Sequence, residues 1–265
     1  MGIFFYLKIN LMKQKHDIVY GIQAIKETVN SGKTIEKVLL KKEINSETLR
    51  ELQHLIRKNG IPAQYVPQEK LNSITRKNHQ GAIAFISAID YANPDFLIPQ
   101  LFETGETPLF LMLDGVTDVR NFGSICRTAE CAGAHGIFVP RKGSVLINSD
   151  AMKTSAGALN YLPVLRSENL IETIETLRNT GFQIISATEK GEKDYFTVDF
   201  NIPTLIVMGS EDKGISNDIL KISDEMVRIP IKGRVESLNV SNAASVIIYE
   251  AIRQRNLAIP PVKNR

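Results

Sequence analysis

The N-terminal third of the 265-residue chain alternates short apolar runs with amphipathic stretches. The apolar runs at 35–40, 61–66 and 81–89 have the length and the boundaries of strands. Residues 46–59 carry apolar residues at helical spacing among charged positions, which predicts an amphipathic helix. Strand and helix therefore alternate across residues 17–92 and indicate a small layered α/β domain.

From Leu109 onward the pattern changes to near-continuous apolar runs separated by helical stretches. Strands that are apolar on both sides are typical of a parallel sheet covered by helices on both faces. The fold class predicted for residues 109–265 is therefore α/β with a parallel sheet. The predicted strands are Leu109–Leu113, Gly136–Val139, Gln183–Ala187, Thr204–Met208 and Val227–Ile231, and the last predicted helix runs from Asn242 to Arg255.

Residues 93–108 separate these two patterns. They contain Pro94, Pro99, Gly105 and Pro108 with acidic residues between them, and prolines at this density interrupt regular elements. The segment is predicted to be a linker with room for one helical turn.

Composition excludes several classes of protein. With 43% hydrophobic and 23% charged residues, the chain is ordinary for a soluble globular protein, and no apolar run approaches the roughly 20 residues that span a membrane. Cys126 and Cys131 cannot form a disulfide framework, no Cys/His cluster predicts a metal, and a cytoplasmic setting is expected. Residues 1–16 are an N-terminal extension without signal-peptide features, in which Met1 or Met12 is the first residue.

Charge is distributed unevenly along the chain. Residues 1–92 hold 14 Lys and Arg against 8 Asp and Glu, a net charge of +6, whereas the remainder carries −3. A basic N-terminal third is compatible with a nucleic-acid partner, because Lys and Arg bind phosphate. A well-solvated surface accounts for the same charge equally well.

Three polar segments, at 114–127, 209–215 and 231–244, follow three of the apolar runs. The carboxyl ends of parallel strands meet at one edge of a sheet, so a ligand site is expected there. Gly209 and Gly233 would let the backbone approach a ligand closely. The glycine fingerprint of dinucleotide sites, the phosphate-binding P-loop and the nucleophile elbow are all absent from the sequence.

Each polar segment also has a purely structural interpretation. Asn121 can cap a helix that begins near Phe122, Glu211 can lie in a solvated turn, and Arg127 can be an exposed helix charge. Taken together, the segments place an arginine, a glutamate, a serine and three asparagines at one edge of the sheet. Independent caps and turns do not explain that concentration.

The same segments resemble the three motifs of the SpoU (TrmH) family of RNA ribose 2′-O-methyltransferases, within the SPOUT superfamily. The motifs stand in order at 121–129 (NFGSICRTA), at 205–215 (LIVMGSEDKGI) and at 227–231 (VRIPI), continuing to 237–244 (SLNVSNAA). Residues 17–92 resemble the N-terminal RNA-binding domain of this family, which is L30e-like. Because that domain is present, the sequence is most similar to the RlmB type, which methylates a guanosine of 23S rRNA.

This resemblance implies properties that the residue pattern does not give. Members hold S-adenosylmethionine in a deep trefoil knot of the C-terminal domain, and they are typically homodimers with the active site at the subunit interface. The implied cofactor-binding residues are Gly209, Ile229, Leu238, Ala187 and Thr188. The implied catalytic residues are Arg127, Glu211, Asn121, Ser237 and Asn239.

The resemblance also implies a role for each catalytic residue. Arg127 activates the ribose 2′-hydroxyl or, because a guanidinium normally stays protonated, clamps the adjacent phosphate. Asn121 orients Arg127, and Glu211 orients the substrate or accepts a proton. Ser237 and Asn239 hold the loop and the ribose. Three alternatives stay open: a tRNA 2′-O-methyltransferase, a base methylator of the same superfamily, and a non-catalytic RNA-binding module of ribosome assembly.

The last predicted helix indicates a homodimer. One side of it carries a stripe of apolar residues that is expected to face the sheet. Ile248 and Tyr249 extend the apolar arc beyond what one sheet contact needs, which leaves surface for a second copy. The stripe consists of Ala243, Val246, Ile247, Ala251 and Ile252.

Overall fold

The computed structural model describes residues 18–43 and 46–258. The predicted N-terminal extension, the choice of first residue and the end of the predicted C-terminal domain lie outside the described residues. The chain divides into two compact units. The first comprises the described residues up to Asp90 together with Leu146–Asp150, and the second comprises Tyr91–Val145 and the described residues from Ala151 onward.

The first unit is a small α/β structure. It contains the strands β1 (Ile18–Tyr20), β2 (Ile35–Lys41), β3 (Ala63–Val66) and β4 (Ala82–Ile86), and the helices α1 (Ile22–Asn30), α2 (Glu47–Lys58) and α3 (Gln68–Ile74). Its sheet has the order β1-β4-β2-β3, in which only β2 and β3 run parallel.

Helix α2 shows how the sequence pattern produces this unit. The hydroxyl of Ser46 accepts a hydrogen bond from the backbone N–H of Leu49 at 3.3 Å and so caps the helix. Leu49, Leu52 and Ile56 recur at helical spacing, are buried, and share a core with Leu40 of β2. The predicted helix at 46–59 is confirmed. Strand β1 was not predicted, because three residues are too few to show a period of two.

The second unit contains a parallel sheet whose strand order is β7-β6-β5-β10-β8-β11-β9. Its strands are β5 (Leu109–Asp114), β6 (Gly136–Pro140), β7 (Val164–Ser167), β8 (Gln183–Ala187), β9 (Lys193–Asp194), β10 (Thr204–Gly209) and β11 (Glu225–Arg228). The predicted α/β class with a parallel sheet is therefore confirmed. The strand predicted at Val227–Ile231 instead ends at Arg228, two residues before Pro230, which has no N–H for a strand ladder.

The helices of the second unit include one inside the segment predicted to be a linker. They are α4 (Pro94–Glu103), α5 (Val119–Cys131), α6 (Ser149–Thr154, which begins in the first unit), α7 (Leu170–Asn179), α8 (Asn217–Ile222) and α9 (Val240–Ala258). The segment at 93–108, predicted to be a linker with room for one helical turn, instead holds a helix of 10 residues. Pro94 stands at the first helical position, where a missing N–H costs little, and Asn93 caps the helix by accepting from Asp95 N at 2.9 Å. Ile98 anchors α4 in the core of this unit.

Helix α9 packs against α5 and β10 through a buried stripe. The stripe includes Ile247 and also Ile248, whose side chain is completely buried within the chain. The expectation that Ile248 leaves surface for a partner is therefore wrong, whereas Tyr249 is 51% exposed. Among the described helices, none combines the length and the apolar character needed to cross a membrane.

Candidate active site

Four neighbouring strands of the second unit, β5, β10, β8 and β11, end at the same edge of the sheet. Their parallel pairing places Gly209 beside Asp114 and Met208 beside Ala187, while Val227 pairs with Ala187 from the other side. The polar segments after β5, β10 and β11 therefore all start from one edge, as the sequence predicted. The residues that follow β8 join them there.

A pocket of about 670 Å³ opens at this edge, a volume typical of small-molecule sites. All five residues predicted to bind a cofactor line it, together with Glu211, Ser237 and Asn239. Its most buried walls are apolar and are formed by Met208, Val227, Val240 and Ile247.

The charged side chains of the pocket favour a cationic ligand. Two lysines and four carboxylates line it, so its formal charge is negative. An apolar interior with acidic side chains suits a molecule that joins an apolar ring to a positively charged group, and S-adenosylmethionine has both features. The carboxylates belong to Glu189, Glu211, Asp212 and Glu236, and the lysines are Lys190 and Lys213.

Gly209 lets the loop after β10 fold back over the end of that strand. Ser210 and Gly214 exchange backbone hydrogen bonds of 3.2 and 2.9 Å across the loop. A Cβ atom at Gly209 would lie 2.1 Å from the carbonyl carbon of Gly214 and 2.3 Å from the nitrogen of Ile215, so no larger residue fits. At Gly233, where the sequence suggested the same need, a Cβ would meet no described atom within 4 Å.

The side-chain amide of Asn239 connects three of the predicted site residues. Its Nδ2 donates to Oδ1 of Asn121 at 3.0 Å and also to the carboxylate of Glu211. Its Oδ1 accepts from the backbone N–H of Ser241 at 2.9 Å and from the Ser241 hydroxyl at 2.6 Å, which caps the start of α9. Asn239 therefore joins the loops after β10 and β11 to the first turn of α5.

Helix α5 is capped by Asp118 rather than by Asn121. The Asp118 carboxylate accepts from the N–H groups of Arg120 and Asn121 at 2.8 and 2.9 Å, which leaves the Asn121 side chain available to Asn239. Arg127 lies further along the same helix, is exposed, and is not part of the pocket lining. Three of the five predicted catalytic residues, Glu211, Ser237 and Asn239, line the pocket. Asn121 adjoins it through its hydrogen bond to Asn239, and Arg127 lies outside it.

A hydroxyl pair fastens α5 to α9 beside Arg127. The Thr128 hydroxyl lies 3.1 Å from that of Ser245, which in turn donates to the carbonyl of Ser241 at 2.8 Å. Sequence reasoning missed these residues, as it missed Glu189 in the pocket. Glu189 directly follows Thr188 at the carboxyl end of β8, and this position after a predicted strand could have identified it as a pocket residue.

Histidine and cysteine do not line this pocket. The Cys126 thiol lies on the buried side of α5, and burial raises its pKa far above the ordinary value, so it stays protonated. Within the described residues, no group of His, Cys, Asp and Glu side chains is arranged to hold a metal ion. The polar groups that line the site are carboxylates, amides, hydroxyls and the ammonium groups of Lys190 and Lys213.

The fold and the pocket define an α/β protein with a small-molecule site at the carboxyl edge of a parallel sheet. The sequence profile of the SpoU rRNA Methylase family matches residues 108–249. A second profile, described as RNA 2′-O ribose methyltransferase substrate binding, matches residues 18–92. The chain belongs to the SpoU family, and the resemblance seen in its three motifs is confirmed.

Relatives of known sequence and structure agree with this assignment. The chain is 36% identical to YacO of Bacillus subtilis (strain 168), which is assigned to the TrmH family of tRNA/rRNA methyltransferases, over 92% of this chain and 98% of that protein. The crystal structure of the SpoU methyltransferase AviRb from Streptomyces viridochromogenes, in complex with the cofactor AdoMet, matches with a TM-score of 0.57 and 29% identity. That match covers 91% of this chain and 90% of AviRb. The A. aeolicus TrmH/SpoU tRNA modifying enzyme matches with a TM-score of 0.54 and 29% identity, over 61% of this chain and 85% of that enzyme.

Proposed function

We propose that this protein transfers a methyl group from S-adenosylmethionine to a ribose 2′-hydroxyl of structured RNA, with a guanosine of 23S rRNA as the target. One observation carries the proposal: the side-chain amide of Asn239 hydrogen-bonds both to Glu211, which lines the pocket, and to Asn121, which lies in α5. The pocket is therefore connected to the helix that carries Arg127. The substrate-binding profile over residues 18–92 supports an RNA substrate, and the SpoU rRNA Methylase profile over residues 108–249 supports rRNA as its class. YacO of Bacillus subtilis is described as a tRNA/rRNA methyltransferase, so tRNA stays the alternative substrate.

The pocket supplies suitable contacts for this cofactor. Gly209, Ile229, Leu238, Ala187 and Thr188 would hold it, largely through main-chain groups and apolar contact. The carboxylates of the pocket complement the positive charges of its sulfonium and ammonium groups. When bound, S-adenosylmethionine supplies an electrophilic methyl group on a positively charged sulfur.

The residues of the chain position the RNA and handle one proton. A ribose 2′-hydroxyl is a weak nucleophile until its proton leaves, so a positioned acceptor and a nearby positive charge both assist. Glu211, held by Asn239, accepts the hydrogen bond of that hydroxyl. The guanidinium of Arg127 binds the adjacent phosphate and stabilises the developing alkoxide. Ser237 holds the loop against the ribose.

The first unit contributes RNA affinity rather than chemistry. Residues 1–92 carry a net charge of +6, which suits binding to phosphates. We place the L30e-like RNA-binding domain at residues 17–92 and the methyltransferase domain at 109–265. The deep trefoil knot implied by the family resemblance belongs to this proposal, with the membership of residues 108–249 in the SpoU family as its support.

We further infer that two copies form the active protein, with α9 in the interface. Opposite its buried stripe, α9 exposes Tyr249 at 51% and Leu257 at 73%. Sedimentation of the wild-type protein is expected to give about twice 29.5 kDa, and Tyr249→Asp is expected to lower that mass and the activity together. An active monomer at assay concentration would contradict the inference.

Arg127→Ala tests the proposed reaction. Labelled methyl transfer to 23S rRNA is expected to be lost, while calorimetric affinity for S-adenosylmethionine stays within about twofold, because Arg127 lies outside the pocket. With wild-type protein, tRNA serves as the competing substrate, and the product ribose is located by its resistance to alkaline cleavage. Equal loss of cofactor binding and activity in the variant would refute the assignment. No cofactor binding by the wild type would favour a non-catalytic RNA-binding module.

A further inference from the structure

Helix α5 exposes one narrow face along its whole length. Arg120, Ser124, Arg127 and Cys131 are all exposed, and at about 100° per residue they fall within roughly 60° of one another. The opposite side of the helix is buried in the core. The exposed face carries two arginines, a serine and a cysteine, and no large apolar side chain.

Both flanks of this face are fixed to other elements of the second unit. On one flank, Asn121 bonds Asn239 at the pocket, and Thr128 bonds Ser245 of α9. On the other flank, Gly123 lies so close to the end of α6 that a Cβ atom would come within 2.1 Å of the Thr154 hydroxyl. The exposed face is therefore held rigidly. Arg120, at one end of this face, is next in sequence to Asn121, which hydrogen-bonds to Asn239 at the pocket.

The two arginines on this face are not neutralised. Within the described residues, neither the Arg120 nor the Arg127 guanidinium has a hydrogen-bond or ion-pair partner. The Asp118 carboxylate beside Arg120 is taken up by two backbone N–H groups of the helix. Glu130, the acidic residue within α5, lies about 80° away from Arg120 around the helix axis. The face therefore presents two free positive charges about 10 Å apart along that axis.

We propose that this face of α5 is a track for the backbone of the substrate RNA, and that Arg120 is a second phosphate-binding residue beside Arg127. A guanidinium binds a phosphate through two parallel hydrogen bonds, and two of them on one rigid helix face hold two phosphates of one strand in register with the pocket. The small Ser124 between them leaves room for the chain of sugars. The absence of exposed apolar side chains on this face disfavours a protein partner, because protein interfaces are centred on such groups. This inference rests on the proposed function.

Arg120→Gln tests the track through the salt dependence of RNA binding. Affinity for the rRNA substrate is expected to fall about tenfold at low salt, and the slope of log affinity against log salt to become shallower by about 0.7, the value for one phosphate of a single strand. The affinity for S-adenosylmethionine is expected to stay unchanged, because Arg120 does not line the pocket. Lys221→Gln is the control, since this exposed lysine of α8 pairs with Asp218 and lies off the face.

Cys131 gives a second readout that does not depend on activity. It is exposed on the same face, whereas the other cysteine of the chain, Cys126, is buried, so a maleimide reports on the face alone. Bound RNA is expected to slow the labelling of Cys131, and Arg120→Gln is expected to raise the RNA concentration needed for that protection by the same factor as in the binding assay.

The outcomes separate the track from the proposed function. If the wild type methylates rRNA while Arg120→Gln keeps the wild-type salt slope and RNA leaves Cys131 reactive, the track is wrong and the function stands. A change in sedimentation of Arg120→Gln would assign the face to contact between copies and would also overturn the track. Failure of the wild type to bind or methylate RNA would overturn both.

Discussion

Replacing Asn239 by aspartate separates the two tasks of its side chain. The aspartate keeps an oxygen for the N–H of Ser241, so the cap of α9 survives. The aspartate lacks the Nδ2 group that donates hydrogen bonds to Asn121 and Glu211. Its carboxylate also lies beside the carboxylate of Glu211, and the two negative charges repel each other. The variant therefore breaks the bridge between the loops without removing the cap.

The size of the effect follows from these contacts. A hydrogen bond to a charged group contributes about 1.5–3 kcal/mol and a neutral one about 1 kcal/mol, while two carboxylates about 4 Å apart repel by about 1 kcal/mol in water. Asn239 and Glu211 are exposed, so the lower values apply and the loop moves away instead of the domain unfolding. Because water screens these exposed groups and the loop movement relieves the repulsion, a net loss below the sum of these values is expected, about 2 kcal/mol or about 30-fold in the Kd for S-adenosylmethionine.

Calorimetric titration with the cofactor measures this loss, and two further variants interpret it. Asn239→Ala also removes the cap, so its Tm is expected to fall by about 2–4 °C more than that of Asn239→Asp. Adding Glu211→Gln to Asn239→Asp supplies an amide that donates to the new carboxylate, and cofactor affinity is expected to recover by at least fivefold. Wild-type affinity in Asn239→Asp, or no recovery in the double variant, would refute the proposed bridge.

Two further predictions concern packing and pH. Gly209→Ala is expected to lower the free energy of unfolding by about 1–3 kcal/mol and the affinity for the cofactor more than tenfold, because the new Cβ has no room against Gly214. Gly233→Ala is the control and is expected to be tolerated. Similar melting curves for the two variants would contradict this prediction. Burial lowers the pKa of His135, whose Nδ1 accepts a hydrogen bond from Leu109 N at 3.0 Å. Below pH 6.5 the unfolded chain therefore binds more protons than the folded one, and the free energy of unfolding falls as the pH is lowered. Denaturant titrations between pH 5 and 8 are expected to show a weaker decline in His135→Asn, and an unchanged decline would show that another group is responsible.

The sequence by itself determined the α/β class and the edge of the sheet at which the site lies. Near-continuous apolar runs are a local property of the chain, and they predict a doubly covered parallel sheet wherever they alternate with helices. Parallel strands bring their carboxyl ends together, so the polar segments at 114–127, 209–215 and 231–244 could be assigned to one edge of the sheet without coordinates. The assignment of Gly209, Ala187 and Ile229 to a cofactor pocket came from the family resemblance. The three motifs added the family, since each lies at such a strand end.

Only the tertiary structure decided which side chains meet. Asn239 is 28 residues from Glu211 and 118 from Asn121, and no periodicity encodes contacts at those separations. The same holds for burial: Ile248 looked available for a partner by its spacing, yet the packing of α9 on α5 and β10 covers it completely. The sequence pattern also did not show which face of α5 is exposed, because this depends on the elements that pack against the helix. Local pattern fixes elements and their order, whereas the pairing of distant side chains depends on how those elements pack.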